Sequence, residues 1–123
     1  MEIPQQSVQD LMEVGYLAGG YGYFKDAIAI FEGLSAVRPD SEYPHIGLAM
    51  THLGMKQTED AVRILRDNAL PKNPENPLTK AFLGLALMQA GLNGESESVL
   101  NQVIDDNQNE TAVELARNLL AGT

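Results

Sequence analysis

The fold is decided by a stretch near the start of the chain, residues 11–39, which reads LMEVGYLAGGYGYFKDAIAIFEGLSAVRP. Its apolar residues recur every three or four positions in two segments, and a glycine-rich break separates the segments. Gly15 is followed seven residues later by Gly22, then by the small Ala27 and, four positions on, by Phe31. This order predicts two helices that fold back on each other as a hairpin.

Two further stretches repeat this order of residues. Gly47 and Gly84 each precede a second glycine by seven residues. Gly47 lies 32 residues after Gly15, and Gly84 lies 37 residues after Gly47. A small residue and then a large apolar one follow in both: Gly54, Ala61 and Leu65 in the second stretch, and Gly91, Ser96 and Leu100 in the third. The sequence therefore predicts three successive helix hairpins, followed by one amphipathic helix.

These intervals bracket the 34-residue period of the tetratricopeptide repeat, and the three stretches resemble its pattern of W-x2-L-G-x2-Y, then A-x3-F, then P. The resemblance implies an all-α fold in which three tetratricopeptide-like helix hairpins form a right-handed solenoid with a C-terminal capping helix. We expect a single domain over residues 1–123, with repeats at about 8–39, 40–74 and 77–108 and the cap at about 109–121.

The repeated spacing has a packing reason. We expect the helices of a hairpin to cross most closely where the glycine of the first meets the small residue of the second, for example Gly15 and Ala27. A larger side chain at such a crossing costs roughly 1–3 kcal/mol. The large apolar residue of each stretch then fills the gap to the next hairpin. At the helix starts, Ser7 and the pair Asn76-Pro77 predict N-caps.

Charge and composition narrow the function. The chain has 17 acidic and 8 basic side chains, a net charge of −9, and no cysteine. An acidic surface repels phosphate, which disfavours nucleic acid and anionic membranes as partners, and the lack of cysteine excludes disulfides and thiolate chemistry. More than half of the net charge lies in residues 91–123, where it favours solubility. Without a membrane span or secretory signal, we expect a cytoplasmic protein that does not insert into membranes.

No set of residues in the sequence predicts catalysis. His45 and His52 lie about 10.5 Å apart along one helix, too far to share a metal ion. The glycine-rich run at 18–23 lacks the lysine and hydroxyl of a phosphate-binding loop, and carboxylate pairs such as Asp105-Asp106 fall near helix ends. The sequence therefore predicts a non-enzymatic protein with no cofactor and no metal site.

The resemblance also implies a binding surface, because the first helix of each tetratricopeptide hairpin lines the concave face of the solenoid. The inward positions of the family fall on Met12, Tyr16, Leu48, Thr51, His52, Ala81, Leu85 and Met88. Most are apolar, and methionine adapts to varied shapes, so we expect an apolar or helical peptide as partner. The alternative is that these residues pack against each other. A second candidate contact cluster consists of Tyr21, Tyr23 and Phe24.

A narrower resemblance rests on Gly15-Tyr16-Leu17-Ala18, Tyr23-Phe24-Lys25-Asp26-Ala27, Ile30-Phe31-Glu32-Gly33-Leu34 and Arg38-Pro39-Asp40. These residues are similar to the small tetratricopeptide chaperones of bacterial type III secretion, a virulence system. The resemblance implies a cytoplasmic carrier that holds a hydrophobic translocator or a needle subunit until export. A co-chaperone and a second copy of the chain stay open as further partners. The alternative is a general scaffold or adaptor that binds a peptide of another bacterial complex.

Overall fold

The computed structural model describes residues 2–122, which fold into successive α-helices. The helices are α1 (Gln5–Gly20), α2 (Phe24–Val37), α3 (Tyr43–Gly54), α4 (Thr58–Arg63), α5 (Pro77–Gln89), α6 (Asn93–Asp106) and α7 (Glu110–Ala121). Connections of three residues join α1 to α2, α3 to α4 and α5 to α6, so each pair forms a hairpin. The prediction of an all-α solenoid of helix hairpins is confirmed. None of the described helices is both long and apolar enough to cross a bilayer.

Two helix starts show how local sequence sets the helix bounds. Asn76 caps α5 as predicted, because its side-chain oxygen accepts a hydrogen bond from the backbone N–H of Leu78 at 2.9 Å. The prediction that Ser7 caps α1 is wrong. The carbonyl of Pro4 accepts a hydrogen bond from the N–H of Val8 at 3.2 Å, which closes the first helical turn ahead of the position that a Ser7 cap requires.

The hairpin turns reveal the register of the repeats. Two residues before each second helix stands a residue with positive φ: Gly22 at 84°, Lys56 at 62° and Gly91 at 82°. Seven residues before them stand Gly15, Ala49 and Gly84, each 12 residues ahead of the small residue of its second helix. Ala49 is therefore the equivalent of Gly15 in the second hairpin. The sequence-based alignment on Gly47 is two residues out of register.

The second helix of the middle hairpin changes type along its length. After α4 the chain continues as a π-helix over Ile64–Ala69 and as a short 3-10 helix over Leu70–Lys72. A π-helix holds more residues per turn than an α-helix, so an inserted residue is accommodated while Leu65 stays buried. The insertion explains the 35 residues between Ala49 and Gly84, one more than the usual repeat length.

Glycines in the first hairpin make room for an aromatic ring. A Cβ added at Gly15 would lie 2.7 Å from the Cζ atom of Phe31, so Gly15 faces this ring and not Ala27. Ala27 lies instead opposite Gly19, where an added Cβ would be 3.8 Å away from its methyl group. The expected crossing of Gly15 with Ala27 is thus corrected, because the helices leave space at Gly15 for the larger residue.

In the third hairpin, Gly84 contacts both the large apolar residue and the small residue of the second helix. A Cβ added at Gly84 would overlap the side chain of Leu100. The hydroxyl of Ser96 also donates a hydrogen bond to the Gly84 carbonyl at 2.7 Å. The expectation that the glycine of α5 meets the small residue of α6 is therefore confirmed for this hairpin.

The two ends of the solenoid differ. At the C-terminal end, α7 packs on α5 and α6 and buries Ala112, Val113 and Ala116 against Leu100. At the N-terminal end, α1 and α2 pack on each other and on α3, and none of the other described helices covers their outer side. Apolar residues on that outer side therefore stay exposed.

Candidate partner-binding groove

A groove follows the line where α1 meets α3, the first helices of the first two hairpins. It contains two hollows, and we call them together the α1–α3 groove. One hollow, of about 440 Å³, is lined by Gln5, Val8, Gln9, Met12, Glu13, Arg38, Ser41, Tyr43 and Pro44. The other, of about 240 Å³, is lined by Gly15, Tyr16, Gly19, Gly20, Met50, Thr51 and Gly54.

One tyrosine lines each hollow, Tyr43 the larger and Tyr16 the smaller. The ring of Tyr16 meets the buried ring of Phe31 edge to face, with centroids 5.1 Å apart and planes at 64°. Burial, and to a lesser degree the neighbouring Tyr43, raises the pKa of Tyr16 to about 12. The hydroxyl of Tyr16, protonated at neutral pH like that of any tyrosine, keeps its proton to a higher pH than usual. Both rings are partly exposed, so each offers an apolar face and a polar tip to a bound partner.

The groove walls favour apolar contacts over charged ones. Met12 and Met50 contribute flexible thioether side chains, one to each hollow. Arg38 lines the larger hollow, but its guanidinium donates hydrogen bonds to the backbone carbonyls of Ile3 and Val37. These bonds use two of its five N–H donors and hold Arg38 against the backbone of its own chain. The arrangement suits a segment whose own apolar side chains enter the hollows.

Of the residues predicted for this surface in the first two hairpins, some lie in the α1–α3 groove and others lie outside it. Met12 and Tyr16 line the α1–α3 groove. Thr51 forms part of its floor, since the side chain is 4 % exposed and its hydroxyl donates to the Gly47 carbonyl at 2.9 Å. Leu48 packs between two hydrophobic clusters, and the Nδ1 atom of His52 hydrogen-bonds with the side chain of Gln57 at 2.6 Å. Leu48 and His52 do not line either hollow.

The predicted residues of the third hairpin lie where α7 packs on α5. Ala81 has no exposed surface and packs against the cluster that α7 closes, so it cannot contact a partner while α7 is in place. Met88 packs against the same cluster beside Leu120 of α7. Leu85 is half-buried and lines none of the described hollows of the α1–α3 groove. The structure does not bring the eight predicted residues together.

Sequence reasoning missed two side chains of the groove, Tyr43 and Met50. Met50 follows from the register error in the second hairpin, because aligning on Ala49 moves the predicted inward position from Leu48 to Met50. Tyr43 does not follow from it, since it lies six residues before Ala49 and matches none of the inward positions predicted in the other hairpins. The missing signal was the turn residue Lys56, which adopts a positive φ where the other hairpins have glycine.

A separate polar hollow of about 590 Å³ lies between α2 and the π-helical segment and contains a serine–histidine pair. Ser35 Oγ lies 3.5 Å from His45 Nε2, at the outer limit of a hydrogen bond. The Nδ1 atom of His45 is buried without a hydrogen-bond partner in the described structure, so no carboxylate orients the ring as a general base requires. Burial and the nearby Lys72 lower the pKa of His45, which keeps the ring neutral at pH 7. Within residues 2–122, no cluster of three metal-ligating side chains occurs.

Comparison with known proteins identifies one matching family. The family model described as "Bacterial type III secretion protein (HrpB1_HrpK)" matches residues 1–122. Among curated proteins, none matches the sequence significantly.

Solved structures with the same fold include two kinds of tetratricopeptide protein. The type III secretion translocator chaperone SycD of Yersinia enterocolitica is 19% identical, with a TM-score of 0.78 over 98% of this chain and 92% of that one. SycD in complex with a peptide of the translocator YopD is 17% identical over 99% and 98% of the two chains, with a TM-score of 0.72. The first tetratricopeptide domain of Spaghetti (RPAP3), bound to the HSP90 peptide SRMEEVD, is 16% identical over 98% of each chain, with a TM-score of 0.77.

Proposed function

Because the chain belongs to the bacterial type III secretion protein family HrpB1_HrpK, we propose that it is a non-enzymatic binding protein of that secretion system. In this proposal the α1–α3 groove holds an apolar segment of an export cargo, a translocator or a needle subunit, and keeps it from aggregating or polymerising before export. The binding takes place in the cytoplasm. The observation that carries the proposal is the pair of hollows lined by Met12, Tyr16, Tyr43 and Met50.

The chemistry of the groove supports this kind of cargo. Thioether and phenol side chains adapt to apolar partners and add few charges that would need to be desolvated. SycD, which has the same fold, is known in complex with a peptide of a translocator. The strong negative charge of the chain would keep a complex with hydrophobic cargo soluble.

The second candidate is a scaffold or adaptor that binds a peptide of another bacterial complex. Its support is the likeness of the fold to the Spaghetti (RPAP3) domain, which binds a peptide ending in EEVD. The side chains of the groove favour the first candidate, because Arg38 already donates to two backbone carbonyls and Glu13 beside it repels an acidic peptide end.

The experiment is binding of the chain to translocator and needle subunits encoded with it. We expect one of them to co-purify, and Met50→Glu to weaken that complex at least tenfold by placing a charge against the apolar segment. Gln102→Glu is the matched control, because it adds the same charge at an exposed position of α6. Wild-type affinity of Met50→Glu for the co-purified subunit would exclude the groove. Co-purification of a protein of another complex, with no binding to either subunit, would favour the adaptor.

A further inference from the structure

A second surface lies at the uncovered N-terminal end of the solenoid. Eight large hydrophobic residues are exposed within residues 2–122, and six of them fall between positions 11 and 23. Four of these six, which we call the α1 stripe, follow one another at helical spacing: Leu11, Val14, Leu17 and Tyr21. Leu17 is 60% and Tyr21 is 76% exposed. None of the four lines the α1–α3 groove, so the groove does not explain their exposure.

An apolar hollow accompanies the α1 stripe. It has a volume of about 280 Å³, lies between α1 and α2, and is lined by apolar residues that include Leu11, Ile30 and Gly33. A Cβ added at Gly33 would meet no atom within 4 Å, so the hollow is open above this residue. The exposed Ala29 and Ala36 extend the same low surface along α2. A ridge of large exposed side chains beside an open apolar hollow is a shape against which another helix packs.

The charges around this surface determine which helix fits. Residues 5–37 carry four carboxylates, and all are exposed: Asp10, Glu13, Asp26 and Glu32. Lys25 is the single basic residue of that range. Arg38 follows the range directly, with its guanidinium bonded to the carbonyls of Ile3 and Val37 at the edge of the hollow. The carboxylates therefore still outnumber the basic groups by two. A second copy of the chain would bring the two sets of carboxylates together, which costs free energy, whereas lysine or arginine flanks would complement them.

We propose that the α1 stripe and the hollow beside it dock an amphipathic helix of another protein, one with an apolar face and basic flanks. The helix takes the place that a preceding repeat would occupy in a longer solenoid. This surface is separate from the α1–α3 groove, so the chain can hold the helix and its cargo at the same time.

The test uses the full chain and two synthetic 18-residue helical peptides. Both carry the same leucine face, but one has lysine flanks and the other has glutamate flanks. Fluorescence anisotropy measures their affinities. We expect the lysine peptide to bind at least tenfold more tightly than the glutamate peptide, and its affinity to fall with added salt, because exposed charges are screened.

Two variants locate the binding. Gly33→Leu fills the hollow from a position with open space above it, and leucine is a better helix former than glycine, so the variant folds. We expect it to weaken binding of the lysine peptide at least tenfold. Leu92→Ser, which removes an exposed apolar side chain elsewhere, should leave the affinity unchanged.

Three outcomes would overturn the proposal. The first is equal affinity for the two peptides. The second is wild-type affinity of Gly33→Leu for the lysine peptide. The third is a wild-type dimer in sedimentation that Gly33→Leu converts to monomer, which would assign the surface to a second copy of the chain. None of these results depends on whether cargo binds in the α1–α3 groove.

Discussion

The ring of Phe31 occupies the space that Gly47 leaves by having no side chain. A Cβ on Gly47 would overlap this ring, and one on Gly15 would approach the same ring to 2.7 Å, so the aromatic side chain lies between glycines of two successive hairpins. Phe31 has no exposed surface, and its ring therefore has no free direction in which to move. This contact lies where α2 packs on α3, at the junction of the first two hairpins.

The first prediction concerns this contact. Gly47→Ala should lower the free energy of unfolding by roughly 1–3 kcal/mol, because the added methyl group overpacks a core that cannot relax around Phe31. Alanine is the better helix former, so a propensity effect alone would have the opposite sign. Urea unfolding measures the change. The matched control is Gly33→Ala, which adds the same methyl group in open space and should stabilise the chain by about 0.5–1 kcal/mol.

A double variant identifies the partner of the added methyl group. Phe31→Leu shortens the side chain that Gly47→Ala would strike, so the combined loss of stability should be smaller than the sum of the two single losses. Strict additivity of the two changes would show that Phe31 and Gly47 are not in contact.

The hairpins could be predicted from the sequence because their signals are local. In each second helix a small residue is followed four positions later by a large apolar one, which is the spacing of one buried helix face. The register of the second hairpin could not be predicted in the same way, for two physical reasons. The turn residue with a positive φ is Lys56, so no glycine marks the turn. The π-helix at Ile64–Ala69 holds an additional residue, which interrupts the α-helical spacing of the side chains. The resulting shift placed the predicted inward position at Leu48 and not at Met50.

The second prediction concerns a buried carboxylate that joins the second and third hairpins. Glu42 Oε2 accepts hydrogen bonds from the side-chain amides of Asn73 at 2.9 Å and Asn76 at 2.8 Å. Glu42→Ala would leave the buried amide of Asn76 without this acceptor, which should lower the free energy of unfolding by about 1–3 kcal/mol. Glu75→Ala removes an exposed carboxylate nearby and should change it by less than about 0.5 kcal/mol in thermal or urea unfolding. Equal effects of the two changes would contradict the role of Glu42.

At the C-terminal end of the predicted groove the structure buries Ala81, for a reason that no single repeat contains. A capping helix was expected from the sequence, and α7 is present, but its packing on α5 buries Ala81. A position that faces inward in one repeat becomes core when the next helix lies over it. Tertiary packing of α7 therefore decides which of the family's inward positions stay accessible.

The third prediction concerns acid stability. Burial and Lys72 lower the pKa of His45 below its usual value of 6.5, so the folded chain binds a proton at this site less readily than the unfolded chain does. The stabilisation is fully present above pH 6.5 and is lost as the pH falls below it. In urea unfolding between pH 7.5 and 5.5, wild type should lose more stability than His45→Gln, which has no such proton to bind. Parallel curves for wild type and His45→Gln would contradict this account.

The fourth prediction concerns the groove itself at high pH. The pKa of Tyr16 is raised to about 12 from 10.0, mainly by burial, so the folded state favours the protonated phenol. The stabilisation is fully present below pH 10 and is lost between pH 10 and 12, as the unfolded chain releases the proton first. Tyr16→Phe keeps the ring on Phe31 and removes the ionisation, so its unfolding free energy should fall less than that of wild type over this range. Absorbance at 295 nm provides an independent measurement, in which Tyr16→Phe should lose a titration step near pH 12. Loss of an early step instead would mean that Tyr16 is solvated, and that the hydroxyl does not lie in the half-buried wall of the groove.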